Sequence, residues 1–213
     1  MNSFIPWIGG KKLLRKEVIK RFPNDDGFTK YVEVFGGAGW VLFDKDQSKK
    51  QLEVFNDIDS NLINLYRCIK FHADAVQKEL DWILSSREIF IDYKTMIDNN
   101  IGTDIQKAAM YLYLVKVSYG AGRRTYGAKT GINNTKEILL EIQKRLSAVI
   151  IENKSYEKII KSYDVVVNEA ADVRFIPTPQ GIKQTVFEHW AAHDGVFLDK
   201  RVLLILLEKI KEL

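Results

Sequence analysis

The stretch that decides the fold runs Tyr31-Val-Glu-Val-Phe-Gly-Gly-Ala-Gly-Trp40 and resumes at Leu52-Glu-Val-Phe-Asn-Asp-Ile-Asp-Ser-Asn-Leu-Ile-Asn-Leu-Tyr66. Tyr31–Phe35 is β-branched and aromatic and stops at Gly36-Gly-Ala-Gly39, which predicts a strand running into a tight loop. Trp40–Asp44 should open the helix after that loop. Leu52–Phe55 predicts a second strand. Ser60 can cap a helix to about Lys70, with Leu62, Ile63, Leu65, Tyr66 and Ile69 at helical spacing. Strand, loop, helix, repeated, implies a parallel, doubly wound α/β sheet. Asp57 follows Gly36 by 21 positions, at the end of the second strand. A glycine loop lets a ligand approach the backbone, and an acid at that spacing accepts from ribose hydroxyls, so the pair reads as a nucleoside-cofactor site. A tight turn plus a helix-capping acid would look the same. The dinucleotide fingerprint fails, because Leu42 stands where the third glycine belongs.

Outward from this core, Lys11–Phe22 predicts a helix, and Pro23–Gly27 a turn. Residues 72–117 read as mostly helical, most clearly at Val76–Leu84 and Ile105–Val117. Ser118–Asn134 is a glycine-rich basic loop. Lys136–Leu146 is helical, Val149–Ile151 a short strand, Ser155–Ser162 a short helix, Val165–Val167 a further strand, and Leu198–Leu213 a largely buried helix. The chain has 213 residues, 46% apolar and 28% charged, with a formal net charge of +4. This composition excludes a disordered or collagen-like chain. No apolar run, Val202–Leu207 included, is long enough to span a bilayer, and no signal peptide is visible, so the expectation is a cytoplasmic protein. The single cysteine, Cys68, excludes an internal disulfide and a cysteine zinc cluster. Residues 101–150 carry a net charge of +5, against −4 for residues 51–100. A basic block around a glycine loop fits contact with a phosphate backbone, or a merely solvated surface.

A second glycine turn, Trp7-Ile-Gly-Gly-Lys11, precedes the first helix, where a helix N-terminus suits an anionic group. The ordered set Pro6-Trp7-x-Gly9-Gly10-Lys11, Val32–Gly39 and Asn56-Asp57-Ile58-Asp59-x-x-Leu62-Ile63-Asn64-Leu65-Tyr66 resembles the Dam-like class of adenine-specific DNA methyltransferases. Tyr111–Leu114, Ser118-Tyr119-Gly120-x-Gly122-x-x-x-Tyr126-Gly127, Arg145–Ser147 and Ile150–Asn153 continue the likeness to about Tyr163. The resemblance implies a Rossmann-like S-adenosylmethionine-dependent methyltransferase sheet with an inserted helical target-recognition subdomain, acting on double-stranded DNA without a metal. Residues 1–71 would be the cofactor half, 72–148 the DNA-binding insert and 149–213 the return to the sheet. Trp7, Gly10 and Lys11 would flank the methionine end of the cofactor. Glu33, Phe35, Gly36, Gly37 and Gly39 would line its path, Asp57 would hold the ribose and Ile58 would pack on the adenine. Ser118, Tyr119, Arg123, Arg124, Tyr126 and Lys129 would face DNA.

The family's catalytic Asp/Asn-Pro-Pro-aromatic motif does not occur: the four prolines are Pro6, Pro23, Pro177 and Pro179, none adjacent. Asn168, after Val165–Val167, is the candidate acceptor for the target amine, and a surface turn is the competing reading. Pro177-Thr-Pro179 has neither acid nor ring. His189 and His193, with Glu188 before them, lack the order of a zinc-protease motif. With residues 164–213 left for the rest of the sheet, the expectation is a catalytic half that is short, altered or missing. The readings to separate are therefore an active methyltransferase, a non-catalytic relative that binds cofactor or DNA, and a nucleotide-binding regulator outside the family.

Overall fold

The computed structural model describes residues 1–20, 22, 30–47, 51–127 and 135–163. The elements are α1 (Arg15–Ile19), β1 (Lys30–Glu33), α2 (Trp40–Asp44), β2 (Leu52–Asn56), α3 (Ser60–Asp81), α4 (Arg87–Asp98), α5 (Asp104–Val117), α6 (Thr135–Leu146), β3 (Val149–Glu152) and α7 (Tyr156–Tyr163). The strands form a small sheet in the order β1-β2-β3. β1 and β2 are parallel, with Val32 opposite Val54 and Glu33 opposite Phe55. The architecture is the α/β class that the strand–loop–helix repeat predicts. The expected strand at 165–167, the tail helix and the turn at Pro23–Gly27 lie outside the described residues.

Two compact units divide the chain. One comprises Met1–Gly10 with Asp59–Ile151, and the other Lys11–Ile58 with the residues from Glu152 on. The first is helical. α5 is buried at every position from Ala108 to Val115, because it carries apolar or aromatic side chains on all faces and sits at the centre of the unit. α3 packs on both α5 and α6. Phe90, Tyr113, Leu114 and Val117 form a second cluster beneath α4. Phe4 and Ile5 are buried, and the Phe4 ring meets Tyr66 edge-on at 5.4 Å, which gives the N-terminal segment its place against α3.

Three differences from the sequence reading have local causes. Asp59, not Ser60, caps α3, its Oδ1 accepting from the N–H groups of Asn61 (3.0 Å) and Leu62 (3.1 Å). The stretches read as two helices, 60–70 and 76–84, are one element broken at His72, whose φ of −143° is non-helical. The helix expected from Lys11 begins as a turn and becomes α-helical only at Arg15, and of its apolar residues Val18 is buried while Leu13 and Leu14 are exposed. α5 opens with a capping box between Thr103 and Gln106.

In the second unit Val32, Val34, Val54 and Ile159 form the core, with Phe35, Ile160 and Tyr163 against it. A buried ion pair joins Lys45, after α2, to Glu53 of β2, and the same ammonium lies 5.2 Å from the centre of the Tyr31 ring. Arg15 ties α1 to α2 through Asp44 (3.0 Å) and stacks on Trp40 at 4.9 Å. Among the described residues no helix is long and apolar enough to cross a membrane, and no group of three potential metal ligands occurs.

Cys68 lies buried on α3, and burial pushes its thiol up to about 11, with the Asp104 carboxylate adding to the effect. Reaction with Ellman's reagent at mildly alkaline pH should therefore be slower by at least about 100-fold in the folded chain than in denaturant. Equal rates would show that this core opens readily.

Candidate cofactor and DNA-binding sites

The glycine loop is built by β1, α2 and the end of β2, all within the second unit. Gly36 donates its N–H to the Asn56 carbonyl at 2.7 Å, and Gly39 donates back to the Gly36 carbonyl at 2.7 Å. Gly36 must be glycine, because a Cβ there would stand 2.3 Å from the Phe55 ring. Gly39 sits at the N-cap of α2 with φ of 65°, a conformation that costs a side-chain-bearing residue. Asp57 meets this loop directly: its Oδ2 accepts from the Gly37 N–H at 2.8 Å. The spacing that suggested the pair has thus brought them together. Ile58, next in the chain, is 68% exposed, an apolar surface beside the carboxylate. Phe35 is half-buried and its ring lies 6.1 Å from that of Tyr156.

The strand ends are fixed by two asparagines that sequence reasoning did not single out. Asn56 is 1% exposed. Its Nδ2 donates to the carbonyls of Val34 (2.9 Å) and Lys154 (3.0 Å), and its Oδ1 accepts from the Lys154 N–H at 2.9 Å. Asn153 donates to the Asp57 carbonyl at 2.8 Å and to the Ile58 carbonyl at 3.3 Å. Asp57 is therefore held from its backbone side as well as through its carboxylate. The visible signal was Asn56-Asp57 itself, an amide placed at a strand end next to the candidate acid.

Glu33 is 3% exposed, and its Oε2 accepts from the Tyr31 hydroxyl (2.8 Å) and from the Leu42 N–H (3.1 Å). Leu42 is the third residue of α2, one of the helix N–H groups that needs a partner from outside the helix. Gly39 has no side chain to provide one, so the carboxylate of β1 caps the helix instead. This gives Glu33 a part in shaping the loop. Of the other expected cofactor residues, Trp7 and Gly10 belong to the first unit, where Gly10 donates its N–H to the Trp7 carbonyl at 3.1 Å. Lys11 belongs to the second, its carbonyl accepting from Leu14 and Arg15 at the start of α1.

The expected DNA loop lies in the first unit, between α5 and α6. Tyr119 donates its N–H to Thr125 and Gly127 to Val117, both at 2.8 Å, so residues 118–126 close on themselves. Ser118 is fully buried, its hydroxyl donating to the Val115 carbonyl (3.3 Å) and accepting from the Arg123 N–H (3.1 Å), and so it does not reach the surface as a DNA contact would. Tyr126 is half-buried, packed on Phe90 at 5.8 Å with its hydroxyl 3.2 Å from Ser85. Arg123 pairs with Asp59 at 3.1 Å. Tyr119, 79% exposed, and Arg124 face outward. Lys129 and Asn168 lie outside the described residues.

These features are those of an α/β unit whose glycine loop meets an acid at the end of the next strand, and of a helical unit that presents Tyr119 and Arg124 at its surface. The sequence profile of the D12 class N6 adenine-specific DNA methyltransferases matches residues 7–174, and the chain belongs to that family. It is 28% identical over 127 residues to a DNA adenine methylase of Salmonella typhi, covering 55% of this chain and 41% of that one. The DNA adenine methylase of Escherichia coli K12 is 29% identical over the same coverage. The type II methyltransferase M1.LlaDCHI of Lactococcus lactis subsp. cremoris is 25% identical over 96% of this chain and 75% of its own length. The chain thus matches about two-fifths of the two methylases' length.

Glu33→Ala removes the acceptor for both Tyr31 and Leu42 and leaves two buried donors without it. Urea unfolding should show a loss of about 3 kcal/mol, with Glu33→Gln costing less. A loss below about 1 kcal/mol would mean that the capping bond adds little.

Proposed function

We propose that this chain is an adenine-specific DNA methyltransferase using S-adenosylmethionine, with Asp57 and the loop Gly36–Gly39 as the cofactor site. The observation that carries this reading is the bond from Gly37 to the Asp57 carboxylate. It puts an anionic acceptor, suited to ribose hydroxyls, beside a backbone that a ligand can approach, with exposed Ile58 next to it as an apolar surface for a purine. The donor set fits a nucleoside cofactor. When bound, S-adenosylmethionine supplies an electrophilic methyl group on a sulfonium.

Asp57 would orient the ribose, Ile58 would cover the adenine face, and Trp7, Gly10 and Lys11 would serve the methionine end. Residues 72–148 would form the target-recognition part, with Tyr119 and Arg124 presented to DNA. Adenine must leave the duplex before its exocyclic amine can react. That amine is a weak nucleophile, so an acceptor aimed at its hydrogens stabilises the positive charge growing on nitrogen. Asn168 is the residue of this chain proposed for that task, and the N–H proton released on methylation goes to solvent. By the same reasoning the chain acts on double-stranded DNA; the names of its DNA adenine methylase relatives state adenine methylation of DNA for those proteins.

A second reading is favoured by one specific feature, the absence of a Pro-Pro pair anywhere in the sequence. Under it the chain binds cofactor, DNA or both without transferring a methyl group.

Tritiated methyl from S-adenosylmethionine should appear in adenine of duplex DNA, and Asn168→Ala should abolish it. Calorimetry should give cofactor binding that Asp57→Ala weakens by about 10- to 100-fold, the loss of charge-assisted hydrogen bonds. Binding without incorporation selects the second reading. Silence in both assays rejects both.

A further inference from the structure

Arg123 and Arg124 are adjacent, carry the same charge and read alike in the sequence, but the fold uses them differently. Arg124 is exposed. The Arg123 guanidinium donates from Nη1 to Asp59 Oδ2 at 3.1 Å and lies 4.6 Å from the Tyr111 ring centre and 5.8 Å from that of Trp7. The Tyr111 hydroxyl donates to the same Asp59 oxygen at 2.7 Å. Asp59 cannot follow the loop, because its other oxygen caps α3 through Asn61 and Leu62. The Arg123 backbone is also committed, its N–H bonded to Ser118 Oγ at 3.1 Å. Its φ is 56° and that of Ala121 is 59°, two side-chain-bearing residues in the left-handed region within three positions. Such a conformation persists only where surrounding contacts impose it.

We propose that Arg123 is a positioning residue, whose ion pair with Asp59 holds loop 118–127 in its left-handed conformation and so turns Tyr119 and Arg124 outward. Arginine suits the task because its planar guanidinium can stack on tyrosine and tryptophan while its edge meets a carboxylate, which a lysine ammonium cannot do. The lock itself is a property of the first unit alone. Its consequence for DNA rests on the proposed function, and the two are tested separately.

Hydrogen exchange of the full chain, without DNA, reads the lock. Asp59→Asn keeps an N-cap on α3 while removing the charge. In Arg123→Gln and in Asp59→Asn, peptides spanning 118–127 should exchange at least about 5-fold faster than in the parent, with α3 unchanged. The double variant should exchange no faster than either single one, since both remove one interaction. Arg123→Lys should lie between parent and Arg123→Gln, and Arg124→Gln should match the parent. Parent-like exchange in the single variants, or additive effects in the double, overturns the proposal.

Fluorescence anisotropy with a labelled mixed-sequence duplex, across a range of salt, reads the consequence. Arg124→Gln should lower the slope of log Kd against log salt by about 1, the signature of a lost phosphate contact. Arg123→Gln should weaken binding by about 3- to 10-fold while leaving the slope at its parent value, because it displaces the loop without deleting a phosphate contact. A slope loss of about 1 for Arg123→Gln overturns the positioning role. If the parent does not bind duplex at all, the proposed function falls, and exchange alone decides the lock.

Discussion

The carboxamide of Asn56 is the constraint on which the glycine loop and the strand ends beside it depend. β1 and β2 run parallel, and their paired register ends at Glu33 opposite Phe55, short of the Val34 carbonyl. Asn56 replaces that ladder with one side chain, bonded to Val34 on one side and to Lys154 on the other. A buried amide satisfied at both ends adds net stability, whereas the same strand ends without it would leave polar groups unmatched. The three residues that follow each answer a different demand. Asp57 takes the Gly37 N–H, Ile58 stands exposed, and Asp59 caps α3 while holding Arg123. One four-residue segment therefore fixes a strand end, an acid against the glycine loop, an apolar surface and a helix start.

A similar demand governs the buried charges of β1 and β2. Glu33 and Glu53 lie on neighbouring strands, 3% and 7% exposed. Burying a carboxylate without partners is prohibitive, and each has been given partners of a different kind. Glu53 has the Lys45 ammonium, so its charge is matched. Glu33 has a phenol and a helix N–H, dipoles whose positive ends meet the charge. Lys45 lies over the Tyr31 ring, and the Tyr31 hydroxyl reaches Glu33, so the two acids are joined through one aromatic residue. A buried ion pair is weak evidence for stability. The network is better understood as fixing the register of α2, and with it the glycine loop, on the strands.

What was legible in the sequence was local. The β-branched and aromatic runs of β1 and β2, the glycine run and the apolar spacing of α3 are each set by neighbours within a turn or two, and the elements appear where the pattern puts them. Asp57 was legible because its partner lies one strand away, at a separation the βαβ geometry fixes. Asp59 was misread in favour of Ser60 because both residue types cap helices, and only the backbone decides which occupies the extended position. Glu33 was placed beside the cofactor by resemblance alone, and its capping of α2 had no trace, because a sequence does not show that Gly39 leaves α2 without a cap. The partner of Arg123 lies 64 residues away, in a segment of opposite net charge, so the pairing had no local trace.

That last case changes what the basic block means. Residues 101–150 hold eight lysines and arginines, and as a sum they resemble an electrostatic footprint for DNA. The structure commits several of them internally. Lys107 pairs with Asp104 at 3.0 Å, Arg123 pairs with Asp59, and Arg145 is 5% exposed. Burial lowers the affinity of Lys116 for its proton. Arg124 and Lys144 are exposed. A net charge counts groups, but only solvent-facing groups release counterions when a phosphate approaches. Among the residues whose exposure is described, the first unit's basic surface is therefore narrower than its net charge.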